Sequence, residues 1–109
     1  MPDASIKIME VVPNKETFEK MKESLAKLLE EYNKDIPNGI RLEGTIKIYR
    51  DTFYIIQKIN SKVISTMKFV FDKTNKVKLI IDDPNEPSSS IITIEEAKLK
   101  IYNATGFIK

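Results

Sequence analysis

Between residues 40 and 81, four runs of alternating apolar and polar side chains follow one another with almost no chain between them, and this pattern constrains the fold most. Successive side chains of a strand point to opposite faces, so a period of two marks a sheet with one face buried. Ile40, Leu42, Ile46 and Ile48 alternate with Arg41, Glu43, Thr45, Lys47 and Tyr49, and further runs cover 52–59, 62–71 and 76–81. The breaks are Arg50 with Asp51, Asn60 with Ser61, and the cluster Asp72, Lys73, Thr74 and Asn75. Breaks this short fit tight hairpin turns, so three hairpins in a row are predicted. The inward set is then Phe53, Ile55 and Ile59, followed by Val63, Met67, Phe69 and Phe71, and by Val77, Leu79 and Ile81.

A helix precedes this meander. Asn14 is placed to cap it, and Phe18, Met21, Leu25, Leu28, Leu29 and Tyr32 recur at helical spacing with Lys and Glu on the other face. Asp35, Ile36, Pro37, Asn38 and Gly39 break it and reverse the chain. Residues 5–12, rich in β-branched side chains and ended by Pro13, read as a first strand. Residues 82–90, acidic and then rich in Pro and Ser, read as a surface loop. A short C-terminal helix follows: Thr93 and Glu96 have capping-box spacing, Ala97 and Ile101 continue it, and Gly106 ends it. The predicted fold is α+β, a mostly antiparallel sheet of about five strands in the order β-α-β-β-β-β-α, with the long helix on one face. With 109 residues, one domain spanning 1–109 and one core are expected.

Composition then removes whole classes of chemistry. Cysteine and histidine are both absent, which excludes disulfides, thiolate metal sites, zinc fingers and nucleophile systems that need a histidine base. No cofactor, no metal and no catalytic residue is assigned. An enzyme would have to work through Tyr49, Tyr54, Arg50, Asp51 and a lysine, whose pKa values sequence cannot show to be shifted. The absence of cysteine and of a charged-then-apolar leader favours a cytoplasmic location, and no apolar run approaches the roughly 20 residues needed to cross a bilayer. Lysine outnumbers arginine 16 to 2, a bias that fits an AT-rich genome or a thermophile.

The charge is unevenly placed. Residues 1–39 and 81–109 each carry a net −2, whereas residues 40–80 carry +6 within a chain of net +2. Alternation assigns Arg41, Lys47, Lys58, Lys62, Lys68, Lys76 and Lys78 to the face away from the helix, with Glu43 the one acid beside them and Tyr49 and Tyr54 interleaved. Lysines that neutralise phosphates beside rings that stack on bases are the arrangement of single-strand nucleic-acid platforms. Arg41, Lys47, Tyr49, Tyr54, Lys58, Lys68 and Lys78 are therefore the candidate nucleic-acid-binding residues. Exposed strand lysines also keep proteins soluble and protect sheet edges, which is the plainer account of the same pattern. Ile56, Ile64, Val70 and Ile80 fall on this face too, an apolar cluster that reads as an interface.

The expectation is a non-enzymatic binding protein, a homodimer, that holds nucleic acid, single-stranded or without sequence preference, on its basic sheet face. The alternative is an adaptor that binds another protein through the apolar part of that face. A small-ligand carrier needs a cavity between helix and sheet, where Phe18, Phe53, Phe69 and Phe71 read more simply as core. Asp82, Asp83 and Glu86 lack any cation-loop spacing, Asn103 to Thr105 matches a glycosylation acceptor without a secretory signal, and Gly44 reads as a bulge or a bend.

Overall fold

The long amphipathic helix forms where its spacing places it, as α1 (Lys15–Asn33). Asn14 is extended, and its side-chain oxygen accepts the Thr17 N–H at 2.8 Å, satisfying one of the amides that a helix start leaves open. In this computed structural model, which describes residues 7–107, five strands and a second helix follow. They are β1 (Leu42–Tyr49), β2 (Thr52–Ile59), β3 (Lys62–Phe71), β4 (Lys76–Asp82), β5 (Ser88–Thr93) and α2 (Ile94–Thr105). The strands lie in sequence order, β1-β2-β3-β4-β5, and every pair is antiparallel. The result is an α+β fold whose two helices pack on one face of a meander.

The turn chemistry explains the registers. Asn60 and Ser61 both take positive φ (52° and 69°), the type I′ geometry whose twist matches flanking strands. Asn60 also locks the chain entering β1: its side chain accepts the Arg41 N–H and donates to the Gly39 carbonyl, both at 2.8 Å. At the other end, Thr93 and Glu96 form the expected capping box, and Gly106 terminates α2 in the left-handed region at φ 69°. The Thr93 backbone N–H and hydroxyl hold the Glu96 carboxyl below its ordinary pKa.

The core is one cluster between the layers. Phe53, Phe69, Phe71 and Val77 from the sheet, Met21 from α1 and Ile101 from α2 are fully buried. Phe18 meets Phe53 edge to face at 6.3 Å between ring centroids, and Phe53 meets Phe69 at 6.4 Å, a geometry that adds to their area burial. Gly44 makes no bulge; it keeps its register opposite Gln57, and a Cβ there would stand 2.9 Å from Leu29 Cδ1. Its missing side chain lets α1 approach β1.

Three elements differ from the sequence expectation. The described part of the predicted first strand, Lys7 to Val12, is a helical turn, with Val11 and Val12 N–H groups both donating to the Ile8 carbonyl at 3.0 and 2.9 Å; Ser5 and Ile6 lie outside the described residues. A strand would have turned Ile8, Glu10 and Val12 to one side. The helical turn instead buries Ile8, Val11 and Val12 and leaves Met9 and Glu10 exposed. The fifth strand comes from the other end, since Ser88 to Ser90, expected in a loop, pair with β4 and carry Ile92 onto Val77. Finally, a bulge between Gln57 and Lys58 pairs Val63 with Lys58 and Lys62 with Ile59, leaving Ile64 as the extra residue. Beyond the bulge the alternation of β3 reverses, so Val63, expected inside, stands 56% exposed on the outer face.

Candidate nucleic-acid interface

Both helices cover the face that carries Phe53, Phe69 and Leu79, so among the described residues the opposite face of the sheet has no covering element. Register places its side chains in rows across the strands. Lys47, Tyr54, Lys68, Ile80 and Ser89 stand directly opposite one another from β1 to β5. A second row runs Tyr49, Thr52, Val70, Lys78 and Ile91, and a third runs Thr45, Ile56, Thr66 and Asp82.

The central row brings the candidates together most closely. Lys47 and Lys68 flank Tyr54 on the two neighbouring strands, each about 5 Å away at the backbone. The Lys47 ammonium lies over the Tyr54 ring, 5.0 Å from its centroid, a cation–π contact that orients the lysine and occupies the ring face a base would use. Tyr49 is 58% exposed, and its ring receives the Arg50 guanidinium at 5.3 Å. Arg50, which the sequence placed in a turn, therefore adds a cation to the same corner. Lys78 stands beside Val70, one row from Lys68.

Other candidates lie farther off. Lys58 faces Glu43 across β1 and β2, which offsets its charge, while the Glu43 carboxylate itself accepts the Ser61 N–H at 2.8 Å. Arg41 sits beside the Asn60 turn, six residues before Lys47 and roughly 20 Å away for extended chain. Lys62 is turned to the other face by the bulge. Asp82, opposite Thr66, is a second acid on the outer face that the sequence reading missed.

The apolar candidates Ile80, Val70 and Ile56 are half-buried members of these three rows, one in each, and Ile64 lies exposed at the bulge. Val63 and Ile91, at 56% and 60% exposure, extend the apolar surface to both ends. Ile91 was missed because the three serines before it read as loop, although Ile91, Ile92 and Thr93 form a β-branched run.

On the helix side, a cleft of about 210 Å³ opens between α1, β2 and α2, lined by Leu25, Leu28, Leu29, Tyr32, Ile55 and Ala104 among others. That volume is below the ~300 Å³ at which small-molecule sites begin. A shallower groove of about 390 Å³ follows the β1 edge beneath α1, where Arg41, Glu43, Glu30 and Lys58 mix their charges. The Asp83 carboxylate accepts the Asn85 and Glu86 N–H groups and so organises its own turn. No described helix is long and apolar enough to cross a membrane.

Fold and face together define a two-layer α+β protein with an open, mixed basic and apolar sheet surface. Comparison of the chain with protein-family models, with curated proteins and with solved structures finds no match.

Proposed function

We propose that this protein is a non-enzymatic binder of single-stranded nucleic acid, held with little sequence preference on the open sheet face. The observation that carries this reading is the row Lys47, Tyr54, Lys68, in which two lysines stand on the strands either side of one tyrosine, one of them with its ammonium 5.0 Å over the ring, on a face that no described element covers. Phosphates draw on the lysines, with Lys78 and Arg50 as outer contacts, and a phosphate that pulls Lys47 off the Tyr54 ring frees that ring to stack on a base. Arginine, the better reader of guanine edges, is nearly absent, so backbone attraction dominates over sequence readout.

Fluorescence anisotropy of labelled single-stranded and duplex oligonucleotides, at low and near-physiological salt, tests it. Micromolar binding that weakens with salt and is lost when Lys47, Lys58 and Lys68 are all replaced by Glu supports the reading. Affinity that survives the triple change, or no binding at low salt, overturns it.

A second reading is favoured by Ile56, Ile64, Val70 and Ile80, joined by Val63 and Ile91: a protein partner docking on the apolar part of the face. Such an interface would respond little to salt. A second copy packed face to face is a poorer fit, because the isoleucines are interleaved with Lys47, Lys68 and Lys78 and two basic faces would be pressed together.

A further inference from the structure

The two edges of the sheet are finished differently. On β1, the Asn33 side chain accepts the Leu42 N–H at 2.8 Å and donates to the Leu42 carbonyl at 3.0 Å, occupying the outward backbone groups as a neighbouring strand would. α1 also packs closely along this strand, with Leu29 against Gly44, and charged Glu43 and Lys47 stand on it. Among the described residues β5 has such protection only at its end, where Glu96 takes the Thr93 N–H. Its six residues, Ser88–Thr93, carry no charge, and no described segment pairs with its outer side. Uncovered, uncharged edges are where sheets recruit another strand.

The hydrogen bonds at the end of β5 fix which groups face outward. Ile94 N–H donates to the Asn75 carbonyl across to β4, whereas Thr93 N–H turns to the Glu96 carboxylate. Antiparallel ladders alternate, so Ile92, Ser90 and Ser88 bond toward β4, and Ile91 and Ser89 present N–H and C=O outward. The available donors are bounded on both sides, since Thr93 N–H is already engaged and Pro87 has none.

We propose that β5 pairs with β5 of a second copy, antiparallel, with Ser90 on the two-fold axis. In that register Ser89 faces Ile91 of the other copy and Ile91 faces its Ser89, so both donors and both acceptors of each edge are matched reciprocally, which an isologous dimer requires. No like charges meet along the seam. The five-stranded sheets join into one continuous sheet, and because the axis is perpendicular to it, both basic faces look the same way. This contact goes beyond the nucleic-acid reading and stands whether or not that reading holds. A strand seam alone is smaller than the ~1,200 Å² of stable interfaces, so the dimer is concentration-dependent.

The test uses the full chain, which contains no cysteine. Across an antiparallel pair without hydrogen bonds, Cα atoms at the axis lie about 4.5 Å apart, within disulfide range. Mild oxidation at millimolar concentration is expected to give covalent dimers of Ser90→Cys, with little cross-linking of Thr45→Cys on the β1 edge. Sedimentation equilibrium is expected to show a wild-type dimer that is lost in Ile91→Pro, which removes only an outward donor, and in Ile91→Lys, with circular dichroism unchanged in at least one of them. A wild-type monomer at millimolar concentration overturns the proposal. So does cross-linking no greater at position 90 than at 45, or a dimer that persists in both folded Ile91 variants.

Discussion

Asn33 shows how one side chain can do the work of a strand. Its amide both donates to and accepts from Leu42, at a half-buried position where water would not readily replace it. Asn33→Ala strands both Leu42 groups and is expected to lower stability by about 1–3 kcal/mol, read as a shift of the urea midpoint at constant slope. An unchanged midpoint would mean that the amide is dispensable. Nothing near Asn33 in the sequence announces this role, because its partner lies nine residues on, across a turn. Asn60, whose side chain reaches back to residues 39 and 41, is equally hidden. The local caps were legible, since Asn14 reaches Thr17, and Thr93 and Glu96 reach each other, within a single turn of helix.

Among the elements, α1 and β1 to β4 follow from periodicity alone, because each buries one side and 3.6 and 2 are distinguishable over the seven residues or more that each spans. The same rule placed Lys47, Tyr54, Lys68, Lys78, Ile56, Val70 and Ile80 on one face, where the structure also has them. It failed where pairing rather than pattern decides. The bulge opposite Gln57 is a property of two strands in register, and it alone reverses Val63 and Lys62. Residues 7–12 are too few for the two periods to separate, and burial of Ile8, Val11 and Val12 together tips them to a helical turn. The α1–β1 seam depends on another such contact. Gly44→Ala puts a Cβ 2.9 Å from Leu29 Cδ1 and 3.2 Å from Leu25 Cδ2, and since both are ends of mobile side chains the expected cost is about 1 kcal/mol, near the low end for overpacking. Pairing it with Leu29→Ala, which opens the space, is expected to give less than the sum of the two single losses; strict additivity in denaturant melts would disprove the contact.

At the scale of the whole molecule, charge is divided unevenly along the chain. The helices and flanking segments hold net negative charge, while residues 40–80 hold +6, and the lysines among them that reach the outer face sit away from the core. Binding there should therefore be separable from folding. If Lys47, Lys68, Lys78 and Arg50 each meet a phosphate, log K for single-stranded oligonucleotide should fall against log salt with a slope of about −3, at ~0.7 per phosphate. Replacing Lys47, Lys58 and Lys68 by Glu moves the net charge from +2 to −4, two units at each of three positions. The slope should then collapse to about −1 or vanish with the affinity. Lys15→Glu, Lys27→Glu and Lys100→Glu make the same net change on exposed helix positions of the other layer. If the sheet face is the site, this second triple variant keeps most of the wild-type slope and affinity. If the two triples lose binding equally, the attraction belongs to net charge, and the row of Lys47, Tyr54 and Lys68 has no part in it.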